Sequence, residues 1–300
     1  MPSGHRDLRA YAALLAGAVG RGRVRAAGAG RIAEVTGTER RSEVVSAMEA
    51  FAGTVGALAV SIGVLGLLLV VTAAVLGGVA QSIVGFGAAF ATVPALALTA
   101  PELLPGAMLV AALPLSATMA IVGRAELDRS AANRLMLGRV PGIVIGTAIV
   151  VVVDVRWLTA LVAVVLLAAV AAAAGGWRLE VTPGREVAAG VVSGVTGAAT
   201  ALGGPPIALL YRDRDPAVVR PTLGLVWAVG IVLTLVGLAA VGSFTLTQAL
   251  VGVFLAALLL AGLLLSRPLL RILSPQRVRT GVLWWAGLGG VAALVRVIAG

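Results

Sequence analysis

The chain of 300 residues is 60% hydrophobic and only 12% charged, with a mean hydropathy of +1.06, a balance that excludes a soluble globular fold and describes an integral membrane protein. It contains no cysteine, which removes disulfides, thiolate metal sites and thiol nucleophiles. The net charge of +10 comes from 23 basic residues, all arginine, against 13 acidic ones; placed in the tail and in loops between apolar runs, it orients spans in a bilayer and does not point to nucleic acid.

Residues 1–50 hold eight arginines and the only histidine, His5. They do not read as a span and are expected to form a disordered Arg-rich tail, or a basic tail on anionic headgroups, with Met48 as an alternative start. Residues 51–300 form the transmembrane domain. No charge interrupts 51–101, too long for one crossing at roughly 20 residues per span. It divides into a full helix at 57–78 and an interrupted segment at 79–98, VAQSIVGFGAAFATVPALAL. Full spans follow at 103–123, 135–153, 157–176, 221–241, 248–266 and 280–299, with a second interrupted segment at 187–211. The expected fold is an all-α polytopic membrane protein with seven full spans and two broken helical hairpins.

The interrupted segments carry the functional argument. The second ends in Gly203-Gly204-Pro205-Pro206, where two consecutive prolines remove two amide donors and break a helix. The first has Gly85, Gly87 and Pro94 in comparable places. Broken backbone at membrane depth is tolerated only where protein covers it or it lines a wet cavity, and paired interruptions in two halves of a chain mark a transporter's binding site. Arginines cluster at Arg124 to Arg134, at Arg178 and Arg185, at Arg212 to Arg220 and at Arg267 to Arg279, whereas Arg156 stands alone in the intervening loops. If each broken segment returns to the side it entered from, every arginine-rich loop shares the cytoplasmic face with the N-terminus. The units 79–176 and 187–299 are then inverted repeats in the cell membrane, with two hairpin tips meeting near its midplane.

These stretches resemble the TauE/SafE sulfite exporter family. The resemblance is carried by Gln81, Gly85-Phe86-Gly87, Pro94, Pro105-Gly106, the Gly138-Arg139-Val140-Pro141-Gly142 turn and Gly146. In the second half it rests on Gly190, Gly194, Thr200 and the GGPP run, and it covers about 57–299. Many members have three glycines where this chain has Gly87-Ala88-Ala89, so it looks more like the GFG branch. The resemblance implies export of small sulfur-containing or organic oxyanions such as sulfite, sulfoacetate or other sulfonates.

The substrate-binding candidates are Gln81, Gly85, Phe86, Gly87, Thr92, Pro94, Arg139, Thr196, Thr200, Gly203, Gly204 and Pro205. Half-helix N-termini carry about +0.5 elementary charge, suited to an anion without a buried cation, and prolines fit a helix's first turn. Gln81, Ser82, Thr92, Thr196 and Thr200 would add neutral hydrogen bonds. Arg139, placed at a helix start, reads either as an anion ligand or as a snorkelling interface residue, and Phe86 as a gate or as packing. Trp157, Trp177, Trp284 and Trp285 read as interfacial belt, and Arg296 as a terminal anchor. No catalytic residue, metal site or cofactor is expected. The expected partners are a small anion and lipid, with no nucleic acid and with a homodimer left open. Because the spans hold no deep acid or histidine, a proton relay is not expected. Efflux of a monoanion is downhill by about 2.3 kcal/mol per 100 mV of inside-negative potential. An importer coupled to Na⁺ or H⁺ and a non-transporting scaffold are the alternatives; an intramembrane enzyme lacks the necessary side chains.

Overall fold

A computed structural model of the chain describes residues 32–84, 87–175, 179–269 and 274–299. His5, Gly85, Phe86, Trp177, Arg178 and Arg271 lie outside these residues, as does 1–31. Among the described residues the regular structure is all helical: α1 (Ile32–Val84), α2 (Gly87–Thr99), a 3-10 turn (Pro101–Leu103), α3 (Gly106–Val122), α4 (Arg129–Val152), α5 (Val155–Ala174), α6 (Pro183–Thr200), α7 (Gly204–Leu210), α8 (Pro216–Ala240), α9 (Leu246–Leu269) and α10 (Pro275–Ala299). The chain divides into two compact units, 1–61 and 62–300. Close to that boundary α1 departs from helical geometry at Gly63, whose φ of 70° and ψ of 170° suit a residue without a Cβ.

Several expected boundaries shift. The stretch 32–50, expected as a disordered tail, is helical, and helix continues, apart from Gly63, through the expected boundary at 78–79 to Val84. Nothing between Gly63 and Val84 stops it, because isolated glycines in an apolar run cost little when neighbouring helices pack on them. The expected span at 103–123 is a 3-10 turn followed by the 17-residue α3, with Pro105 at its N-cap. Six helices among the described residues are long and apolar enough to cross a membrane, not seven. Helix α4 starts at Arg129, before the expected 135, because the Asp128 carboxylate accepts the Ala131 amide at 2.9 Å and caps it. Asp215 does the same for α8 through the Ala217 amide. The expected turn at 138–142 lies inside α4, Pro141 included.

In the second unit each broken segment folds back on itself. A Cβ on Gly87 would lie 2.6 Å from the Ala80 Cβ, one on Gly77 3.0 Å from the Ala88 carbonyl, and one on Gly66 3.4 Å from the Thr99 methyl. That register makes α2 antiparallel to the end of α1. Ser193 and Gly197 of α6 meet Gly203 in the same sense, and the Tyr211 hydroxyl, just past α7, donates to Glu186 in the first turn of α6. Around these hairpins α3 packs on α8 and α5 on α10; α4 packs on α8 as α9 does on α3, and α5 on α7 as α10 does on α2. Exchanging the halves of the unit maps this pattern onto itself.

Close backbone approach replaces apolar burial as the cohesive principle, as expected where the solvent is itself apolar. An extensive seam joins α4 to α6. A methyl added at Gly138 would overlap the Val187 carbonyl oxygen, one at Gly190 that of Leu135, and one at Gly194 that of Arg139. Gly78 and Gly262 make the corresponding seam between α1 and α9, against Leu259 and Val75. The Trp285 indole, expected at an interface, donates to the Ala91 carbonyl at 2.9 Å and ties α10 to α2. Large apolar side chains such as Leu137, Val144, Trp157 and Trp284 point outward and are exposed, as lipid-facing residues can be.

The hydrogen bonds at the helix ends sort the loops. Gln248 donates to the Glu102 carbonyl at 2.9 Å, Arg156 to that of Val297 at 2.6 and 3.0 Å, and Arg296 to that of Leu98. The loops after α2, α4 and α8 and the end of α10 therefore share one end. At the other, the Asp128 amide donates to Thr222 at 3.0 Å, and Arg134 and Tyr211 meet Glu186. Arg124, Arg129, Arg185, Arg212, Arg214 and Arg220 gather at this second end. With no native cysteine, the arrangement is directly testable in intact cells. Single cysteines at Ala125 and Asp213 are expected to react with a membrane-impermeant maleimide from the same side, and one at Thr247 from the opposite side. Labelling of Ala125 and Asp213 from different sides would contradict the fold.

Candidate functional site

A cavity of about 80 Å³ lies where the two broken segments approach each other, several times the roughly 10–15 Å³ that one water needs. The first hairpin contributes Gln81, Ala88 and Ala89, the second Gly197, Ala201, Gly203 and Gly204. Helices α3, α4 and α8 close it with Ser116, Arg139 and Trp227.

The α4–α6 seam explains how an arginine comes to lie here. Arg139 is the eleventh residue of the 24-residue α4 and only 2% exposed, not the helix-start residue that the sequence suggested; the Asp128 cap places two more turns of helix before it. Its Nη1 donates to the Ser193 hydroxyl and, at 3.4 Å, to the Ser193 carbonyl. The Ser193 hydroxyl in turn donates to the Gly203 carbonyl, so one serine fastens the arginine to the break in the second hairpin. Three glycines give the guanidinium room. A Cβ on Gly197 would stand 3.2 Å from Nη2, one on Gly203 3.1 Å from Nη1, and one on Gly230 would overlap Nε.

The electrostatics are unbalanced. No carboxylate among the described residues pairs with Arg139, and its Nε finds no acceptor. An unpaired buried charge costs several kcal/mol, and an unmet buried donor about 1–3 kcal/mol. The Trp227 indole N–H, also buried, has no acceptor either. Two unmet donors and an unpaired positive charge around one cavity favour a small anion with oxygen acceptors. The expectation of a site without a buried cation is therefore corrected.

The half-helix ends contribute less than expected. Gln81 Oε1 accepts the Ala88 amide at 3.1 Å and caps α2, while its amide nitrogen meets the Met119 sulfur at 3.5 Å. Gly204, Pro205 and Pro206 form the first turn of α7; the prolines have no N–H to offer, and seven residues carry little dipole. Upstream, α6 ends on Ala201 in the left-handed region, φ 59°, a conformation that costs a non-glycine residue about 1–3 kcal/mol and tends to persist at functional sites.

Of the candidates from sequence, the structure brings Gln81, Arg139, Gly203 and Gly204 to one cavity. The other described candidates do not line that cavity. Gly87 sits against Ala80, Thr92 against Gly77 and Pro94 against Gly289. Thr196 donates to the Val192 carbonyl at 2.9 Å and Thr200 to that of Thr196 at 2.7 Å; Pro205 is half-buried in the first turn of α7. Trp227, Ser116 and Ser193 were not anticipated. For Trp227 the available signal is the Trp227–Gly230–Ile231 spacing, which puts the three on one helix face; Ser116 and Ser193 carry none.

A second, larger cavity of about 220 Å³ lies at the arginine-rich end, bordered by Asp128, Arg134, Glu186, Tyr211, Arg214 and Asp215 among others. Glu186 is 2% exposed, and its two oxygens accept from Arg134 Nε and the Tyr211 hydroxyl. The sequence placed no acid deep in a span, and Glu186 lies in the first turn of α6, buried at the arginine-rich end. The return of the chain after α7, through Tyr211, covers it.

Two antiparallel broken hairpins around an electropositive cavity, within a bundle of membrane-length helices, define a multi-pass membrane transporter. The model of the sulfite exporter TauE/SafE family matches residues 70–293, and the chain belongs to that family, whose members are transporters of sulfur anions. No curated protein and no solved structure matches it.

The cradle of Arg139 can be tested on one helix. Gly230→Ala is expected to push the guanidinium aside and lower anion flux by roughly tenfold or more, the loss of about one charge-assisted hydrogen bond. Gly237→Ala, whose new methyl would meet nothing closer than Thr147 at 3.4 Å, is expected to keep flux near wild type.

Proposed function

We propose that this protein is a permease of the cell membrane that exports small organic or sulfur oxyanions, such as sulfite, sulfoacetate or other sulfonates, through the cavity between its two broken hairpins. The observation that carries the reading is the unpaired Arg139, buried where both breaks meet. A buried cation surrounded by unmet donors lowers the desolvation cost of an anion, and glycine at the breaks lets the anion approach the backbone.

Supporting two inverted repeats are the pairing pattern that survives exchange of the halves and the sorting of arginine-rich loops to one end, which the positive-inside rule makes cytoplasmic. Helix α7 runs between the two cavities, with Gly204 at the inner one and Tyr211 at the outer. Movement of that short helix, against hydrogen bonds at both ends, would connect the site to the cytoplasmic side. Direction follows from the potential: about 100 mV inside negative favours a monoanion outside by roughly fifty-fold.

Purified protein in proteoliposomes is expected to release sulfite or a short sulfonate, faster when an inside-negative potassium diffusion potential is imposed. Gly204→Leu, which fills the break, is expected to abolish this flux while the protein still inserts. Folded wild-type protein that moves no anion from a broad panel would favour the scaffold reading.

Buried Glu186 favours a second reading, in which movement of the anion is coupled to a proton. In that case a pH gradient changes the wild-type rate and has no effect on Glu186→Gln. Equal responses of the two proteins, or none, would leave uniport.

A further inference from the structure

We propose that Trp227 sets substrate selectivity in the central cavity: its indole N–H donates to the anionic head, and its ring covers a short apolar tail. An anion with such a tail is then held more tightly than an inorganic one. The inference rests on reading this cavity as the transport site.

Trp227 is 8% exposed, lines the cavity, and its Nε1 has no protein acceptor. An indole nitrogen can only donate, and buried donors in folded proteins nearly always have an acceptor. One turn further along α8, Gly230 seats the Arg139 guanidinium, and Trp227 and Arg139 both line the cavity. The remaining wall is divided in character. Gln81 and Ser116 are polar, whereas Met108, Leu109, Leu115 and Ile231 are apolar. A bare oxyanion would satisfy the donors and leave the apolar wall in contact with water. A sulfonate or similar head on a chain of two or three carbons would cover both kinds of wall. The indole ring of Trp227 also offers that tail a large apolar contact area.

The test uses purified full-length protein, with propanesulfonate and inorganic sulfite as probes in calorimetric titrations. Wild type is expected to bind propanesulfonate more tightly than sulfite. Trp227→Phe, which removes the N–H and keeps a ring, is expected to weaken both by roughly tenfold or more. Trp227→Ala is expected to erase the preference between them. Should the alanine variant not fold, intrinsic fluorescence supplies the second measurement: propanesulfonate is expected to change the emission of wild type and not that of Trp227→Phe. Wild-type affinity in Trp227→Phe, or equal binding of the two probes by wild type, would overturn the inference while the transport reading stands. A wild type that binds neither probe would overturn both.

Discussion

The structure depends on the near contact of two helix backbones, α4 and α6, from which the intervening side chains have been removed. Gly142 meets Gly194 directly, while Gly138 and Gly146 lie against Val187 and Val195 of α6 and Gly190 against Leu135 of α4. In lipid no solvent drives apolar surfaces together, so such seams gain their cohesion from dispersion contacts at short range. The seam also does something chemical. With α6 drawn this close, Ser193 comes within reach of the Arg139 guanidinium and links it to Gly203. A charge that would be prohibitive at membrane depth is held by one hydroxyl, one carbonyl and the space left by three glycines.

That arrangement leaves the charge solvated by dipoles yet unpaired, and the difference matters for transport. A carboxylate partner would neutralise Arg139 and compete with any anion; a hydroxyl orients it without competing. The same economy appears at the base of the second hairpin, where Glu186 does have a cationic partner, Arg134, and also holds Tyr211. The inner site keeps an open positive charge while the outer network is closed. Helix α7 joins the two, tethered through Gly203 to Ser193 at one end and through Tyr211 to Glu186 at the other.

Broken helices were legible from Gly203-Gly204-Pro205-Pro206 because proline removes an amide wherever it occurs, whatever surrounds it. Their role was less legible. The amide dipoles expected to meet the anion are largely used up: Gln81 caps α2, and two of the first three residues of α7 are prolines. The threonines at 92, 196 and 200 looked like ligands because they lie near the breaks in sequence, but a helix turns neighbours onto different faces. Thr196 and Thr200 bond back to their own helix, and Thr92 packs against Gly77. Arg139 was identified, but its depth depended on where α4 begins, which a single capping aspartate decides.

By itself the sequence determined that this is a polytopic membrane protein, where its helices are interrupted, and that its arginine-rich loops can share one side if the interrupted segments double back. Each of those follows from local chemistry: side-chain hydropathy, the missing amide of proline, the charge of arginine beside a bilayer. Only the tertiary structure decided which helix faces meet, and so which residues surround the cavity. Gln81, Arg139, Gly203 and Trp227 lie far apart along the chain and become neighbours because glycine seams let helices approach at particular registers. Registers of that kind are set by shape complementarity between two surfaces, a property that neither strand of sequence carries alone.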